Sequence, residues 1–152
     1  MIFAELSPYI KNPFFGEKKK TAVNTIPNGT FISADPLQTE QVLKAYLENA
    51  AAHTKSGGLV KTECEVKNGT ARISVFNTGS HIDDKIMPQI WQSFYRGDTS
   101  HKRDSSRFGL GLSIVSAIMK LHGHKCGVYN TEDGVCFWFE ADFSGKSEER
   151  RQ

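Results

Sequence analysis

Two runs of alternating apolar and polar residues, Leu59–Lys67 and Thr70–Asn77, are separated only by Asn68-Gly69. That dipeptide supplies two residues able to take positive φ, which the tight two-residue turn between twisted antiparallel strands demands. The middle of the chain is therefore committed to a β-hairpin. In its second strand Ile73 and Val75 share one face, while Arg72, Ser74 and Phe76 share the other. One face is thus written for a core and needs a covering layer.

The flanking sequence supplies that layer. Asp35-Pro36 is a helix start, with Asp35 as cap and Pro36 at the first helical position. From Leu37 the apolar residues Val42, Leu43, Tyr46, Leu47 and Ala50 follow helical spacing, predicting an amphipathic helix to Thr54. Asp83–Phe94, with Ile86, Ile90 and Phe94 on one side, reads as a second helix. Leu110–Leu121 reads as a third, closed by His122-Gly123. Lys125–Asn130 and Val135–Asp142 form a second hairpin around Glu132-Asp133-Gly134. Thr30–Ala34 reads as a short strand after the Asn28-Gly29 turn. Near the start, Phe3, Leu6, Tyr9 and Ile10 recur at helical spacing until Asn12-Pro13 breaks it. Arg96–Ser106 is polar and basic without apolar periodicity, as expected of a mobile loop. The expected architecture is α+β: a two-layer sandwich of one sheet with three main helices on one face.

Bulk properties exclude several classes. The 152 residues suffice for one domain with one core. A net charge of +2 does not argue for nucleic acid, and the basic spots Lys18–Lys20 and Lys102–Arg107 carry no interleaved stacking aromatics. Cys64, Cys126 and Cys136 are an odd set without a pairing pattern, pointing to reduced thiols and a cytoplasmic setting. No apolar run of about 18 residues could span a membrane, and no signal peptide is expected from the first residues. The uncapped start Met1–Leu6 leads to the expectation of a piece excised from a longer protein.

Three segments carry chemistry. QVLKAYLENAAAHT (Gln41–Thr54) puts the Asn49 amide and the His53 imidazole one helical turn apart. An amide oxygen there could complete the shell of a Mg²⁺ ion that grips phosphates, or Asn49 could simply face solvent. VFNTG (Val75–Gly79) ends an apolar strand in a polar side chain with glycine two residues on. That pattern lets a flat heterocycle lie against backbone, and equally describes a plain turn. RFGLGLSIV (Arg107–Val115) opens a helix through Gly109 and Gly111, leaving N–H groups free for an anion. Glycine pairs at helix starts are also often only turns. Taken together, the three describe a nucleotide pocket. Glu48 adjoins Asn49, but adjacent helix residues point about 100° apart. His122, His124 and Cys126 lack a fourth zinc ligand and are explained as a turn.

In this order and at these separations, the segments resemble the N, G1 and G2 boxes of the ATP-binding catalytic domain of sensor histidine kinases, a fold shared with gyrase, Hsp90 and MutL ATPases. IWQSFYRGD (Ile90–Asp98) looks like the F box that precedes the ATP lid in the kinases. The similarity covers Asp35 to Asp142. It implies a mixed, mostly antiparallel sheet, with ATP and Mg²⁺ as ligands. It also implies roles: Asn49 on the metal, His53 lining the nucleotide, Asn77 and Gly79 at the adenine, with Ile82 beside them. Phe94 would anchor the lid, Arg96 and Arg107 would meet phosphate charge, and Gly109, Leu110, Gly111 and Leu112 would form the phosphate-side hinge. Lys102 and Arg103 either join the arginines or are a solvated charge run. The sequence departs from the family at Asn77, where aspartate is usual, at His81 for a glycine, at Ala45 for a polar residue and at Ala52 for a basic one.

The implied activity is transfer of the γ-phosphoryl group to a histidine on a separate dimerisation helix, then relay to a response regulator. The phosphoacceptor is normally followed by an acidic residue, and His53, His81, His101, His122 and His124 are not. Expected partners are the parent's own dimerisation and histidine phosphotransfer domain and a cognate response regulator, in a membrane-anchored parent, with no nucleic acid. The departures keep open a degenerate nucleotide- or partner-binding module. A stand-alone ATPase or serine-kinase relative, such as an anti-sigma factor, is disfavoured by the F box and the long basic lid.

Overall fold

The computed structural model describes residues 3–13, 19–92 and 111–146. Its elements are β1 (Phe3–Glu5), β2 (Thr21–Asn24), β3 (Thr30–Ser33), α1 (Pro36–His53), β4 (Leu59–Lys67), β5 (Thr70–Thr78), α2 (Gly111–His122), β6 (Cys126–Asn130) and β7 (Gly134–Lys146). The strands form a seven-stranded sheet in the order β1-β3-β7-β5-β4-β2, with β6 also paired to β7. All pairs are antiparallel except β2 with β4. The long β7 is the spine: β5 runs along one edge, and β6 and then β3 share the other.

Local sequence explains the firm elements. Asn68 (φ 53°) and Gly69 (φ 80°) both take the left-handed conformation that the hairpin requires. Asp35 caps α1 by accepting a hydrogen bond from the Gln38 N–H at 3.0 Å, with Pro36 at the first helical position. Helices α1 and α2 lie antiparallel on one face of the sheet, with Gln38 touching the His122 ring at one end and Ala45 facing Gly111 at the other. Beneath them Ile73 and Val75 pair with Phe139 and Phe137 in register, all four buried. Tyr46 closes this layer, its ring 5.3 Å from Phe137 and 6.1 Å from Phe139, its hydroxyl donating to the Trp138 carbonyl at 2.9 Å. Full burial of such side chains stabilises by about 1.5–3 kcal/mol each. On the opposite sheet face Arg72 stacks 3.9 Å over Trp138 and pairs with Glu140 at 3.0 Å.

Four expectations are corrected or extended. Among the described residues two α-helices cover the sheet, not three. The described part of the segment read as the second helix, residues 83–92, holds turns and a 3₁₀ turn at Met87–Gln89, because Pro88 lacks an N–H and its ring blocks a continuing helix. The helical spacing at the start is overruled as well: Phe3–Glu5 pairs antiparallel with β3, and a 3₁₀ turn at Ser7–Tyr9 follows. There Ala4 and Leu6 are buried, a period of two, and the Leu6 N–H bonds the Thr30 carbonyl at 3.0 Å. Strand β2 went unread because it is largely exposed and has no apolar alternation. Finally, β7 continues past Asp142 to Lys146.

Candidate functional site

The α1 face carrying Asn49 turns inward. Asn49 is 3% exposed, and its Oδ1 makes no hydrogen bond among the described residues. Leaving a buried amide oxygen unpaired costs about 1–3 kcal/mol, so its retention calls for a reason outside folding. His53 stands one turn further along the same face, partly buried. Glu48 is exposed and borders a groove with Tyr9, Lys11 and Pro13 instead. One turn before Asn49, Ala45 meets the first residue of α2: a Cβ placed on Gly111 comes 3.5 Å from the Ala45 Cβ.

Strand β5 delivers the second part. Period-two alternation puts Asn77 on the buried face after Ile73 and Val75, and it is 1% exposed. Its Nδ2 donates to Ser80 Oγ at 2.8 Å and to the Thr78 carbonyl at 3.2 Å. Gly79 follows at φ 82°, a conformation that side chains resist. The aliphatic stem of Lys55 lies 3.8 Å from where a Gly79 Cβ would be.

The loop after Gly79 is tied to the β6–β7 hairpin at both ends. Upstream, the Gly79 N–H donates to the Asp133 carbonyl at 2.9 Å. Downstream, Asn130 accepts from the Ile82 N–H at 2.9 Å and donates to the Ile82 carbonyl at 2.7 Å. Gly134 allows β7 to pass beside Asn77: an added Cβ would overlap the Asn77 carbonyl oxygen and lie 2.9 Å from Thr78 Cα. Lys55, Ser80, Asn130 and Gly134 were not singled out from sequence. Asn and Gly beside a turn carry no signal beyond the turn itself.

The structure therefore brings Asn49, His53, Asn77, Gly79, Ile82 and Gly111 onto adjoining elements. The side chains of Ile82 (7% exposed) and Leu112 (1% exposed) join the core, and the main chain of Ile82 is taken up by Asn130. Phe94, Arg96, Lys102, Arg103, Arg107, Gly109 and Leu110 lie outside the described residues. No group of three or more His, Cys, Asp or Glu side chains among the described residues could hold a metal; His122 ends α2 and Cys126 begins β6, with His124 in the connection between them. All three cysteines are free, and burial raises their thiols, Cys64 to about 11. None is a ready nucleophile at neutral pH.

Residues 34–145 match the family described as histidine kinase-, DNA gyrase B-, and HSP90-like ATPase. The sensor protein VanSB of Enterococcus faecalis is 36% identical over 118 residues, covering 78% of this chain and 26% of that protein. The sensor protein IrlS of Burkholderia pseudomallei is 37% identical over 72% of this chain and 24% of its own length. The chain thus spans about a quarter of these relatives. The catalytic domain of histidine kinase ThkA, in a nucleotide-free form, superposes with a TM-score of 0.73 at 29% identity, covering 93% of this chain and 96% of that one. Buried Asn49, the Asn77–Gly79 strand end and the α2 start occupy one arrangement within the matched span, and the chain belongs to the histidine kinase-, DNA gyrase B- and HSP90-like ATPase family.

Proposed function

We propose that this chain is the ATP-binding catalytic domain of a sensor histidine kinase, transferring the γ-phosphoryl group of ATP to a histidine on a separate dimerisation helix. The observation that carries the reading is the buried Asn49 Oδ1, without a hydrogen-bond partner among the described residues and one helical turn from the point where α2 begins against Ala45. A hard, neutral oxygen held in that way suits Mg²⁺, which takes few protein ligands and keeps phosphates and waters as the rest. When bound, the ion supplies charge neutralisation at the phosphates.

The remaining roles belong to this chain's own groups. Asn77 accepts from the adenine amino group, and Gly79 lets the ring approach the backbone. His53 lines the nucleotide. The first turn of α2, Gly111 and Leu112, offers main-chain N–H groups to phosphate oxygens. Arg96 and Arg107, with Phe94, Gly109 and Leu110, complete the lid side. Positioning and charge carry such transfers, so the domain needs no covalent intermediate of its own. No histidine of the chain has the acceptor pattern, so it binds nucleotide but does not autophosphorylate alone.

The partners follow from this reading: the parent's dimerisation and phosphotransfer domain, and a response regulator. ThkA has been solved in complex with the response regulator protein TrrA, at 25% identity to this chain and a TM-score of 0.73, covering 94% of this chain and 42% of that one. No described helix is long and apolar enough to cross a membrane. We place the domain on the cytoplasmic side of a membrane-anchored parent.

Calorimetric titration with ATP, with and without Mg²⁺, tests the binding half. Magnesium-dependent binding that disappears in Asn49→Ala is expected. No binding at millimolar ATP would overturn the reading in favour of a degenerate partner-binding module. Fusion to the parent's acceptor helices tests the transfer half, with phosphohistidine from labelled ATP as the expected product.

A further inference from the structure

A Cβ built on Gly79 would have three carbons of one side chain as its nearest neighbours: Cβ, Cγ and Cδ of Lys55, each at 3.8 Å. Equal distances to consecutive carbons mean that the stem runs across the space in front of Gly79 instead of pointing into it. The stem is thus a short apolar wall facing bare backbone, at ordinary contact distance. Gly79 holds φ 82° with its N–H tied to the Asp133 carbonyl, so the backbone side of this space is fixed.

The turn that carries Lys55 is fixed too. Thr54 is buried and its hydroxyl donates to the Ala50 carbonyl at 2.6 Å, while the Gly58 N–H donates to the Lys55 carbonyl at 2.9 Å. A side chain at Gly58 would meet Thr54 Cγ2 at 2.6 Å and Thr78 Oγ1 at 2.8 Å, so the turn is pressed against the end of β5. Lys55 itself is exposed and forms no ion pair among the described residues. A long amphipathic side chain on such a root lays its methylenes on a ligand and keeps its ammonium in water.

Position along α1 decides which part of a nucleotide the stem meets. Ala45 faces the start of α2, the helix rises about 12 Å from there to His53, and Lys55 lies beyond its end. Phosphates held at the first turn of α2 are therefore far from the root of Lys55. The group that comes to Gly79 is the base.

Resting on the nucleotide reading above, we infer that Lys55 is a base-binding residue: its methylene stem walls the adenine site at Gly79, and its charge takes no part. A base settling on Gly79 covers methylenes that water now covers, and this burial is the source of the affinity.

The test is calorimetric titration of the 152-residue chain with ATP and with ADP, both with Mg²⁺, in wild type, Lys55→Ala and Lys55→Met. Removing the stem is expected to weaken both nucleotides about fivefold in Lys55→Ala, the effect of leaving one to two methylenes unburied. Lys55→Met keeps an apolar stem without the charge and is expected to restore most of the affinity. Thermal midpoints without nucleotide are expected to agree among the three, since Lys55 is exposed. A midpoint that falls in step with affinity assigns the stem to the fold and overturns the inference. So does an equal loss in Lys55→Met, which assigns the effect to charge, or unchanged or tighter binding by Lys55→Ala. In each of these cases ATP binding by the wild type stands. Its absence overturns the nucleotide reading, and this inference with it.

Discussion

The side-chain amide of Asn130 holds the main chain of Ile82 from both sides, accepting its N–H at 2.9 Å and donating to its carbonyl at 2.7 Å. The two residues are 48 positions apart in the chain, so the end of β6 fixes the loop that leaves β5. Asn130→Ala leaves both Ile82 groups without this partner, and about 1–3 kcal/mol of stability should be lost. Denaturant titration reads that loss, and ATP calorimetry should show weaker binding. Asn130→Asp keeps the acceptor alone and is expected to fall between. Unchanged stability in the alanine variant would show that the clamp does not hold the loop.

Gly134 is expected to tolerate no side chain. Its missing Cβ is the space taken by the Asn77 carbonyl, so Gly134→Ala must displace β5 or β7 at the site itself. Overpacking of this kind costs about 1–3 kcal/mol. The drop in thermal midpoint should come with at least tenfold weaker ATP binding. Gly111→Ala is the contrast: its new Cβ would meet Ala45 at an ordinary 3.5 Å, and the fold should be nearly unaffected.

A residue kept for a ligand rather than for the fold should show it by substitution. Asn49→Leu removes the orphaned amide oxygen and fills the space with carbon. The ligand-free variant should be as stable as the wild type or more so, by up to about 2 kcal/mol. Magnesium-dependent ATP binding should vanish in the same variant. A marked fall in ligand-free stability would mean that Asn49 serves the fold.

Burial raises the Cys64 thiol from 9.0 to about 11, which sets a sign for its pH dependence. The unfolded chain releases this proton first, so the Cys64 contribution is fully present below pH 9 and lost as the pH rises toward about 11. Denaturant titrations at pH 8 and pH 10.5 should show a smaller alkaline loss in Cys64→Ala than in the wild type. At neutral pH the thiol should alkylate more slowly than a free cysteine.

The features legible in the chain are local: the positive-φ turn at Asn68-Gly69, the Asp35 cap with Pro36, the apolar stripe of α1 and the alternating faces of β5. Each depends on residues within a few positions, where backbone sterics and periodicity act without help. Asn49, Asn77 and Gly79 were legible as a set because a known order of motifs joined them. The tertiary structure alone decided the rest. Helical spacing at Phe3–Tyr9 lost to pairing with β3, since strand edges are satisfied only by distant partners. Pro88 was visible in the sequence and should have stopped the helix read there. The clamp of Asn130 on Ile82, the passage of Gly134 beside Asn77 and the seat of α2 on Ala45 join segments far apart in the chain. No short-range pattern encodes them, because steric fit between remote backbones exists only once the sheet has closed.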